Sequence, residues 1–349
     1  MSKNLENNKV LMGFSGGVDS TASCVLLREK GYEVTGYYFD VQGNNKEGRE
    51  YAEKIAAQLG ISLITEDVSV DFSRIVIGNF CSEYLSGRTP NPCVICNPEI
   101  KFKKLIEHAD RIGAKYIATG HYARIAEKGG SFYIRKALNE KKDQSYMLYR
   151  LPEETLRRLI FPLGEVSDKN EVRQLAEKKG LANAQKKDSQ EICFINPDDN
   201  YADYIRRTGA VPGEGFFVDK EGNVLGKHEG ILNYTIGQRK GLGIALGKPA
   251  FVTRIDADNN TITLGENEDL FSSEVRSSDN LFTAGRAEEY DGRRVSAKIR
   301  YSSVPKSAVL HISGNEVITV FDEPQRAATP GQSIVFYDND IVIGGGFVL

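Results

Sequence analysis

The sequence predicts an α/β protein: a doubly wound parallel sheet, followed by a small β-rich linking domain and a C-terminal β-barrel. Strand-like apolar segments alternate with amphipathic helical segments up to about residue 200, and short strands separated by glycine turns follow. A length of 349 residues is also long for one domain. We therefore predict three domains, at residues 1–203, 204–272 and 273–349.

The first domain is predicted from a repeated pattern of strand and helix. "KVLMGF" is typical of a buried strand, and the helical segment "TASCVLLREKGY" that follows stops at Gly31. "EVTGYYFD" predicts the second strand, "EYAEKIAAQLG" a helix that ends at Gly60, and "ISLITEDVS" the third strand. The helix "FKKLIEHADRIGA" and the strand "KYIATGHYA" continue the alternation. A parallel sheet of this kind binds ligands at the carboxyl ends of its strands.

The remaining domains are predicted from short strands with turn residues between them. The segments are "GEGFFVDKEGNVLGKH", "AFVTRIDADNNTITLGE", "RRVSAKIRY", "SAVLHISGNEVITVFD" and "QSIVFYDNDIVIGGGFV". Turn signals such as "DADNN" and "SGNE" between apolar runs are typical of β-hairpins. We expect the C-terminal domain to be a barrel of about six strands.

Composition argues against several classes of protein. No apolar run approaches the roughly 18 residues of a membrane span, and "MSKNLENNKV" lacks the apolar core of a signal peptide. Five cysteines are too few for a disulfide scaffold in a chain of this length. The net charge of −3 carries no global signature of nucleic-acid binding, although basic clusters such as "KFKK" and "GRRVSAKIRY" occur. We expect a cytoplasmic protein without a membrane partner.

The loop "SGGVDS" lies between the first predicted strand and the first predicted helix. Its glycines and small hydroxyl residues allow backbone N–H groups to surround an anion at the positive end of the helix. The loop lacks the lysine of a P-loop and the spacing of G-x-G-x-x-G. Taken alone, such a sequence is more often a tight strand-to-helix turn.

The pair Cys93 and Cys96 in "NPCVICNPEIKF" leaves several chemistries open. A C-x-x-C pair can bind zinc, ligate an iron–sulfur cluster, exchange disulfides or supply one nucleophile. Cys24 and Cys81 each fall within an apolar helical pattern, so we expect them to be small buried residues. Taken alone, Cys193 would have the same interpretation.

Taken together, the motifs change which interpretation of the loop and of the cysteines is favoured. "SGGVDS" after a buried strand resembles the pyrophosphate loop of the N-type ATP pyrophosphatases. The strings "GFSGGVDS", "GRTPNPCVICNPEIKF", "IATGHYAR", "KKDQSYML", "DSQEICFI", "YTIGQRKGLG", "KIRYSS" and "TPGQSIVFY" occur in this order. Together they closely resemble the bacterial tRNA-specific 2-thiouridylases (the MnmA or TrmU family), over nearly the full length of the chain.

The resemblance implies ATP-dependent sulfur transfer to the wobble uridine of Lys, Glu and Gln tRNAs, with tRNA and a sulfur donor protein (a cysteine desulfurase or a relay protein) as partners. Cys96 matches the family's nucleophile and Cys193 the cysteine that carries a persulfide. The implied ATP-binding residues, with magnesium near the aspartate, are Gly13, Phe14, Ser15, Gly16, Gly17, Val18, Asp19, Ser20, Phe39 and Gly120. The implied tRNA contacts are Asn91, Pro92, Cys93, His121, Lys142, Asp143, Gln144, Arg300, Tyr301 and Gln332.

In the implied reaction, ATP adenylates the 2-oxygen of the uracil, and the persulfide on Cys193 attacks the activated carbon. Cys96 then attacks the inner sulfur and leaves a Cys96–Cys193 disulfide, or it helps to release sulfide instead. A disulfide formed at each turnover must be reduced before the next, which suits the cytoplasm.

Cys93 departs from the family pattern, because some members have an aspartate there. In one interpretation Cys93 is a tolerated small residue, and Cys96 and Cys193 act alone. In another, Cys93, Cys96 and Cys193 ligate an iron–sulfur cluster with one open iron. A structural zinc is less favoured, because His108 would have to lie nearby and it falls on a helix face. We favour the first interpretation.

Two other functions fit parts of the sequence. One is a ligase that adenylates a small molecule, but a small substrate would not require the C-terminal β region with Arg300, Tyr301 and Gln332. The other is a non-catalytic RNA-binding protein that keeps ATP as a structural ligand.

Overall fold

The structure is a computed structural model, and it describes residues 7–178, 192–196, 198–209 and 211–349. The strands are β1 (Lys9–Gly13), β2 (Glu33–Asp40), β3 (Leu63–Asp67), β4 (Tyr116–Ala118), β5 (Ala123–Lys128), β6 (Ser131–Lys136), β7 (Leu159–Ile160), β8 (Gly215–Val218), β9 (Val224–His228), β10 (Phe251–Asp256), β11 (Thr261–Gly265), β12 (Phe271–Phe282), β13 (Arg294–Lys298), β14 (Lys306–Ser313), β15 (Glu316–Arg326), β16 (Ser333–Asp338) and β17 (Ile341–Val348). The α-helices are α1 (Val18–Glu29), α2 (Lys46–Leu59), α3 (Ser69–Phe72), α4 (Gly78–Leu85), α5 (Pro92–Cys96), α6 (Lys103–Arg111), α7 (Glu153–Leu156), α8 (Lys169–Lys178) and α9 (Tyr201–Thr208). Two π-helical turns lie at Ser73–Ile77 and Asn97–Phe102.

The first sheet has the strand order β3-β2-β1-β4-β7, and each neighbouring pair is parallel. The chain runs outward from β1 to β3 and then returns to place β4 on the other side of β1. In an open α/β sheet, such a reversal of strand order leaves a crevice outside the carboxyl ends of the two strands. The predicted doubly wound parallel sheet is therefore confirmed, and its reversal lies between β1 and β4.

The central strand β1 is buried on both faces. Val10 and Met12 pack into a core with Val25 of α1 and Ile55 of α2, whereas Leu11, which points to the opposite face, is also buried. Helix α6 packs against β1 and β4. Burial on both faces explains why "KVLMGF" is a nearly continuous apolar run rather than an alternating one.

The residues that flank α2 determine where this helix begins and ends. The Asn45 side chain accepts a hydrogen bond from the Gly48 N–H at 2.9 Å and so caps the start of the helix. Gly60 ends the helix with φ of 64°, in the left-handed region that favours glycine. The helix end predicted at Gly60 is thus confirmed.

The second sheet has the order β10-β11-β8-β9. Strands β8 and β9 form one antiparallel hairpin, β10 and β11 form another, and a parallel pairing of β8 with β11 joins them. Phe217, Val252 and Ile262 lie in the core of this small domain. The β10–β11 hairpin was predicted from its turn residues "DADNN", whereas β8 and β9 were predicted only as short strands.

The C-terminal strands form a barrel of six strands in the order β12-β15-β14-β13-β16-β17, closed by the pairing of β12 with β17. Closure leaves the barrel without a free edge strand. The sequence patterns predict the barrel but not β12. That strand is mostly polar, and its register shifts between Ser272 and Glu274 and again between Ser278 and Leu281. Such bulges interrupt the alternation by which a strand is recognised.

The antiparallel hairpin of β5 and β6 is a second element that the sequence analysis did not predict. Its turn is formed by Gly129 (φ 61°) and Gly130 (φ 81°). A Gly-Gly pair between alternating segments is a known hairpin signal. The sequence therefore contains a local signal for this hairpin, although the strand–helix alternation does not predict it.

The chain divides into two compact units. Unit 1 contains Met1–Val76, Cys93–Gln190 and Asp340–Ile343, and unit 2 contains Ile77–Pro92, Glu191–Asn339 and Gly344–Leu349. Each unit thus draws on segments that are distant in sequence. In the described ranges, no helix has the length and apolar character needed to cross a membrane.

Candidate functional site

The loop between β1 and α1, in unit 1, is held closed by its own side chains. Ser15 Oγ accepts a hydrogen bond from the Gly17 N–H at 3.3 Å, and Ser20 Oγ donates to the Gly17 carbonyl at 3.0 Å. Gly16 has φ of 71°, and a Cβ there would lie 3.0 Å from Ala52 Cα, so glycine is required. The first N–H groups of α1 have no acceptor within the helix and lie at its positive end. The loop is therefore suited to bind phosphate.

The loop that follows β4 packs directly on this phosphate loop. A Cβ on Gly120 would lie 3.1 Å from the Asp19 carbonyl carbon and 3.1 Å from the Ser20 nitrogen. Gly13 ends β1 close to Phe39, the half-buried ring near the end of β2, since a Cβ on Gly13 would lie 3.4 Å from Phe39 Cε2. The predicted ATP-binding residues thus gather where the strand order reverses. The buried members of this set include Phe14 and Val18.

The Asp19 carboxylate is fixed by two residues that the sequence analysis did not single out. Tyr122 Oη donates a hydrogen bond to Asp19 Oδ1 at 2.9 Å. Lys169, the first residue of α8, places its Nζ 3.4 Å from Asp19 Oδ2. The Lys169 side chain is 13% exposed and that of Asp19 is 32% exposed. The phosphate loop therefore carries a carboxylate with an ammonium group beside it.

His121 follows Gly120 and faces the segment that carries Cys96. Its Nδ1 lies 2.7 Å from Thr119 Oγ1, and its ring stacks on Phe102, the last residue of the second π-helical turn, at 5.9 Å between centroids. Burial, and then the charge of Lys101, hold the pKa of His121 well below its ordinary value. The imidazole is therefore neutral near pH 7.

The turn that contains Lys142, Asp143 and Gln144 is braced against the same loop. Gln144 Oε1 accepts a hydrogen bond from the Tyr122 N–H at 2.9 Å. Asp143 is buried, and its carboxylate accepts hydrogen bonds from the Ala137 N–H at 2.9 Å and from the Ser145 hydroxyl at 2.7 Å. The Lys142 side chain is partly exposed. Two of these three residues thus hold the turn in shape.

Cys96 ends α5 and is half-buried, whereas Cys93 in the same helix is exposed. Asn97, the next residue, is 0% exposed, and its Nδ2 donates a hydrogen bond to the Met147 carbonyl at 2.9 Å. Among the described residues, no hydrogen-bond partner lies within reach of Asn97 Oδ1. One buried side chain therefore ties the Cys96 segment to the stretch that follows Gln144.

In unit 2, Gln332 holds the segment that leads into α5. Its Nε2 donates a hydrogen bond to the Thr89 carbonyl at 2.8 Å, and the Thr89 N–H donates to the Pro330 carbonyl at 2.8 Å. Asn91 is half-buried and Pro92 is buried. The Gln332 side chain therefore orders the chain just before these two predicted tRNA contacts.

The other predicted contacts in unit 2 differ in exposure. The Arg300 guanidinium donates a hydrogen bond to the Arg326 carbonyl. Tyr301 is 40% exposed, and Lys298 Nζ lies 5.4 Å from the centre of its ring. Tyr301 thus presents an aromatic face with a cation beside it.

Cys193 is exposed, so the interpretation of this residue as a buried hydrophobe is wrong. Its neighbour Phe194 is buried and packs against Phe80 at 5.3 Å and Tyr204 at 5.5 Å between ring centroids. This packing anchors the segment, and Cys193 beside it is exposed. The first four residues of the string "DSQEICFI", 188–191, lie outside the described residues.

The remaining cysteines differ from each other. Cys24 is buried as predicted, and burial raises the pKa of its thiol to about 11. Cys81 is only half-buried, so the prediction that it is buried is wrong, and its Sγ lies 3.6 Å from Thr208 Oγ1.

The described residues form no group of three or more His, Cys, Asp or Glu side chains that could hold a metal ion. His108, the candidate zinc ligand, has its Nε2 2.6 Å from Glu66 Oε2 and so is paired with a carboxylate. Among the described residues, neither His108 nor the cysteines belong to such a group.

Three family models match the chain in succession. They are described as a tRNA methyl transferase HUP domain at residues 8–197, a tRNA methyl transferase PRC-barrel domain at 202–266 and an aminomethyltransferase beta-barrel domain at 273–348. Together with the loop after β1, they define the class: a HUP-domain protein of the type that uses ATP, followed by two β domains.

Relatives that match over nearly their full length identify the family. The tRNA-specific 2-thiouridylase MnmA of Clostridioides difficile (strain 630) is 46% identical over 358 residues, which cover 98% of each chain. The tRNA-specific 2-thiouridylase MnmA 2 of Clostridium botulinum (strain Langeland) is 46% identical over 353 residues, which cover 99% of each chain. The chain belongs to the MnmA family of tRNA-specific 2-thiouridylases, and the predicted family, fold class and enzyme class are confirmed.

Among solved structures, NMN synthetase from Francisella tularensis is similar over 53% of this chain and 68% of its own, with 16% identity and a TM-score of 0.36.

Three residues of the site were missed from sequence: Asn97, Tyr122 and Lys169. Asn97 and Tyr122 stand beside Cys96 and His121 inside the matched strings, so those strings contained a signal. Lys169 lies in "SDKNEVRQLA", which predicts only the start of a helix. Its partner Asp19 is 150 residues away in sequence.

Proposed function

We propose that the protein catalyses ATP-dependent 2-thiolation of the wobble uridine of Lys, Glu and Gln tRNAs. The observation that carries this proposal is the loop after β4. Gly120 of this loop packs on the phosphate loop. His121 stacks on Phe102, which belongs to the segment that carries Cys96. The Tyr122 N–H donates a hydrogen bond to Gln144 in the turn formed by Lys142, Asp143 and Gln144. One loop therefore joins the parts that would bind ATP, supply a thiol and contact tRNA.

ATP would lie with its phosphates against Ser15–Ser20 and the start of α1, and with its base near Phe39. The 2-oxygen of the uracil would attack the α-phosphorus, pyrophosphate would leave, and AMP would become the leaving group on C2. Asp19 offers a carboxylate of the kind that Mg²⁺ prefers, and this ion would neutralise phosphate charge. Neutral His121 would contact the base without adding charge.

The terminal sulfur of a persulfide on Cys193 would then attack C2, and AMP would leave with the oxygen. The Cys96 thiolate would attack Cys193 Sγ, break the S–S bond and release 2-thiouridine, with a Cys96–Cys193 disulfide as the second product. A thiol reductant must return two electrons to the disulfide, and a sulfur donor protein, such as a cysteine desulfurase or a relay protein, must reload Cys193. Both requirements support a cytoplasmic setting.

The tRNA contacts would be of two kinds. Lys142, Arg300 and Tyr301 would touch the RNA through charge and stacking. Asp143, Gln144 and Gln332 have side chains engaged within the protein, so they would act by holding their segments in place. We also propose that the functional division follows residues 1–203, 204–272 and 273–349.

The variants Cys96→Ala and Cys193→Ala test the proposal, with Cys81→Ala as the matched control. Transfer of radiolabelled sulfur to tRNA should be lost in the first two, whereas tRNA binding persists in all three. A Cys193→Ala protein that thiolates tRNA at the normal rate would rule out the persulfide.

Measuring iron and labile sulfide in the anaerobically purified protein distinguishes the persulfide mechanism from a mechanism that uses an iron–sulfur cluster. Stoichiometric amounts of both, lost in Cys93→Ala, would replace the persulfide route with the iron–sulfur alternative.

A further inference from the structure

We infer that Lys169 is a phosphate-binding residue of the nucleotide site, held beside the phosphate loop by Asp19 until the nucleotide arrives. The inference rests on the proposed use of ATP, and it names a residue that is outside every motif by which the family resemblance was made.

The position of Lys169 is the first observation. Its Nζ lies 3.4 Å from Asp19 Oδ2, in the first turn of α1, and 6.0 Å from the centre of the Tyr122 ring. Tyr122 donates to the other oxygen of the same carboxylate. The ammonium group therefore lies at the helix end where phosphate oxygens would bind.

The charge of the phosphate loop is the second observation. Between Gly13 and Ser20 the sequence contains one charged residue, Asp19, which is negative. A P-loop supplies its own lysine to the phosphates, and this loop has none. Apart from the magnesium proposed at Asp19, the loop itself therefore has no side-chain cation to offset the charge of a triphosphate. Lys169 supplies a cation from another part of the chain.

The third observation is that the backbone around Lys169 is fixed against α1. Asp168 Oδ1 accepts a hydrogen bond from the Asn170 N–H at 2.9 Å at the start of α8, and Val172 of α8 packs in one cluster with Val18 and Ala22 of α1. The backbone of Lys169 is thus fixed against the helix that follows the phosphate loop. A lysine side chain is long and flexible, so rotation about its bonds suffices to exchange a carboxylate for a phosphate.

A structural ion pair is the alternative role. An ion pair that only braces α8 against α1 would affect every ligand of the site alike. A phosphate contact would instead affect ligands according to their phosphate groups. The experiment therefore compares two nucleotides that differ in their number of phosphate groups.

The test compares Lys169→Met, Lys169→Arg and a matched control, Lys54→Met on the exposed face of α2, in calorimetric titrations with Mg-ATP and with AMP. Lys169→Met should weaken ATP binding at least about tenfold, as loss of a charge-assisted contact does, and change AMP binding less than about twofold. Lys169→Arg should retain most of the ATP affinity. Lys54→Met should match the wild type for both nucleotides.

Two results would overturn the inference. One is unchanged ATP affinity in Lys169→Met. The other is an equal loss for ATP and AMP together with a lower Tm, which identifies a strut. The proposed function is judged separately on the wild type: if it binds ATP but transfers no sulfur to tRNA, the proposed function fails while the Lys169 titrations still stand. A wild type that binds no ATP would overturn both.

Discussion

The phosphate-loop region of unit 1 and the C-terminal barrel differ in how they hold their polar residues. In unit 1 the predicted site residues are linked to one another, from Asp19 through Tyr122 to Gln144. In the barrel, Tyr301 is 40% exposed and presents its ring to solvent. Chemistry depends on orientation to within about 1 Å, whereas contact with an RNA backbone tolerates adjustment. We therefore expect substitutions in this part of unit 1 to disturb geometry, and substitution of the exposed Tyr301 in the barrel to disturb affinity alone.

The largest effect is expected from Asn97→Asp. The change would place a carboxylate oxygen where Nδ2 now donates to the Met147 carbonyl, in a side chain that is 0% exposed. We expect the free energy of unfolding to fall by roughly 3 kcal/mol or more. Asn97→Leu should cost less, about 1–2 kcal/mol, because it also removes the buried Oδ1 acceptor. Urea unfolding measures both, with the exposed Asn44→Asp as control. Equal stability of the Asn97→Asp variant and the wild type would contradict the anchoring role.

Gly120→Ala should have the next largest effect, because its Cβ would meet the backbone of Asp19 and Ser20 at 3.1 Å. The phosphate loop would have to shift, so we expect ATP to bind about 10- to 100-fold more weakly, a loss of about 1.4–2.7 kcal/mol. Gly209→Ala is the matched control, since its φ is 171° and nothing lies within 4 Å of the added Cβ. Isothermal titration with ATP measures the effect. Normal ATP affinity in Gly120→Ala would show that the loop after β4 and the phosphate loop move apart freely.

Tyr301→Ala should act on tRNA alone. A lost base–aromatic contact costs about 1–3 kcal/mol, so we expect tRNA affinity to fall roughly 5- to 150-fold, with ATP affinity and Tm unchanged. Val304→Ala, at a nearby residue that is 72% exposed, serves as control. Filter binding at two salt concentrations measures the affinities. A parallel loss of ATP affinity would remove the contrast between the barrel and unit 1.

The smallest effect concerns two histidines, His121 in unit 1 and His228 in unit 2, whose pKa values are both lowered by burial. Below the unfolded pKa of about 6.5, the unfolded chain takes up a proton that the folded protein does not. Stability should therefore fall as the pH decreases below about 6.5, by at most about 1.4 kcal/mol per pH unit for each histidine.

Replacement by glutamine separates the two histidines. His121→Gln and His228→Gln should each flatten the pH dependence of urea unfolding, but only His121→Gln should slow thiolation. If His228→Gln slowed thiolation as much, then the role of His121 would be structural.

Several features show where prediction from sequence ended. The β5–β6 hairpin had a Gly-Gly signal that was not used, whereas β12 is bulged and polar and has little local signal. Asp143 was predicted from its motif as a tRNA contact, yet its burial and its bonds to Ala137 and Ser145 depend on how the turn folds. The exposure of Cys193 likewise depends on Phe194 occupying the apolar site beside it.

The sequence by itself determined most of the order of strands and helices, the phosphate loop and the positions of the cysteines, because periodic burial, turn residues and motif spacing are local properties. The tertiary structure alone decided which distant side chains meet: Lys169 with Asp19, Asn97 with Met147, and Gln144 with Tyr122. The reversal of strand order between β1 and β4 also brings the loops after those two strands together, so that Gly120 packs on Asp19 and Ser20. No local pattern encodes that reversal, because it depends on the packing of the whole sheet.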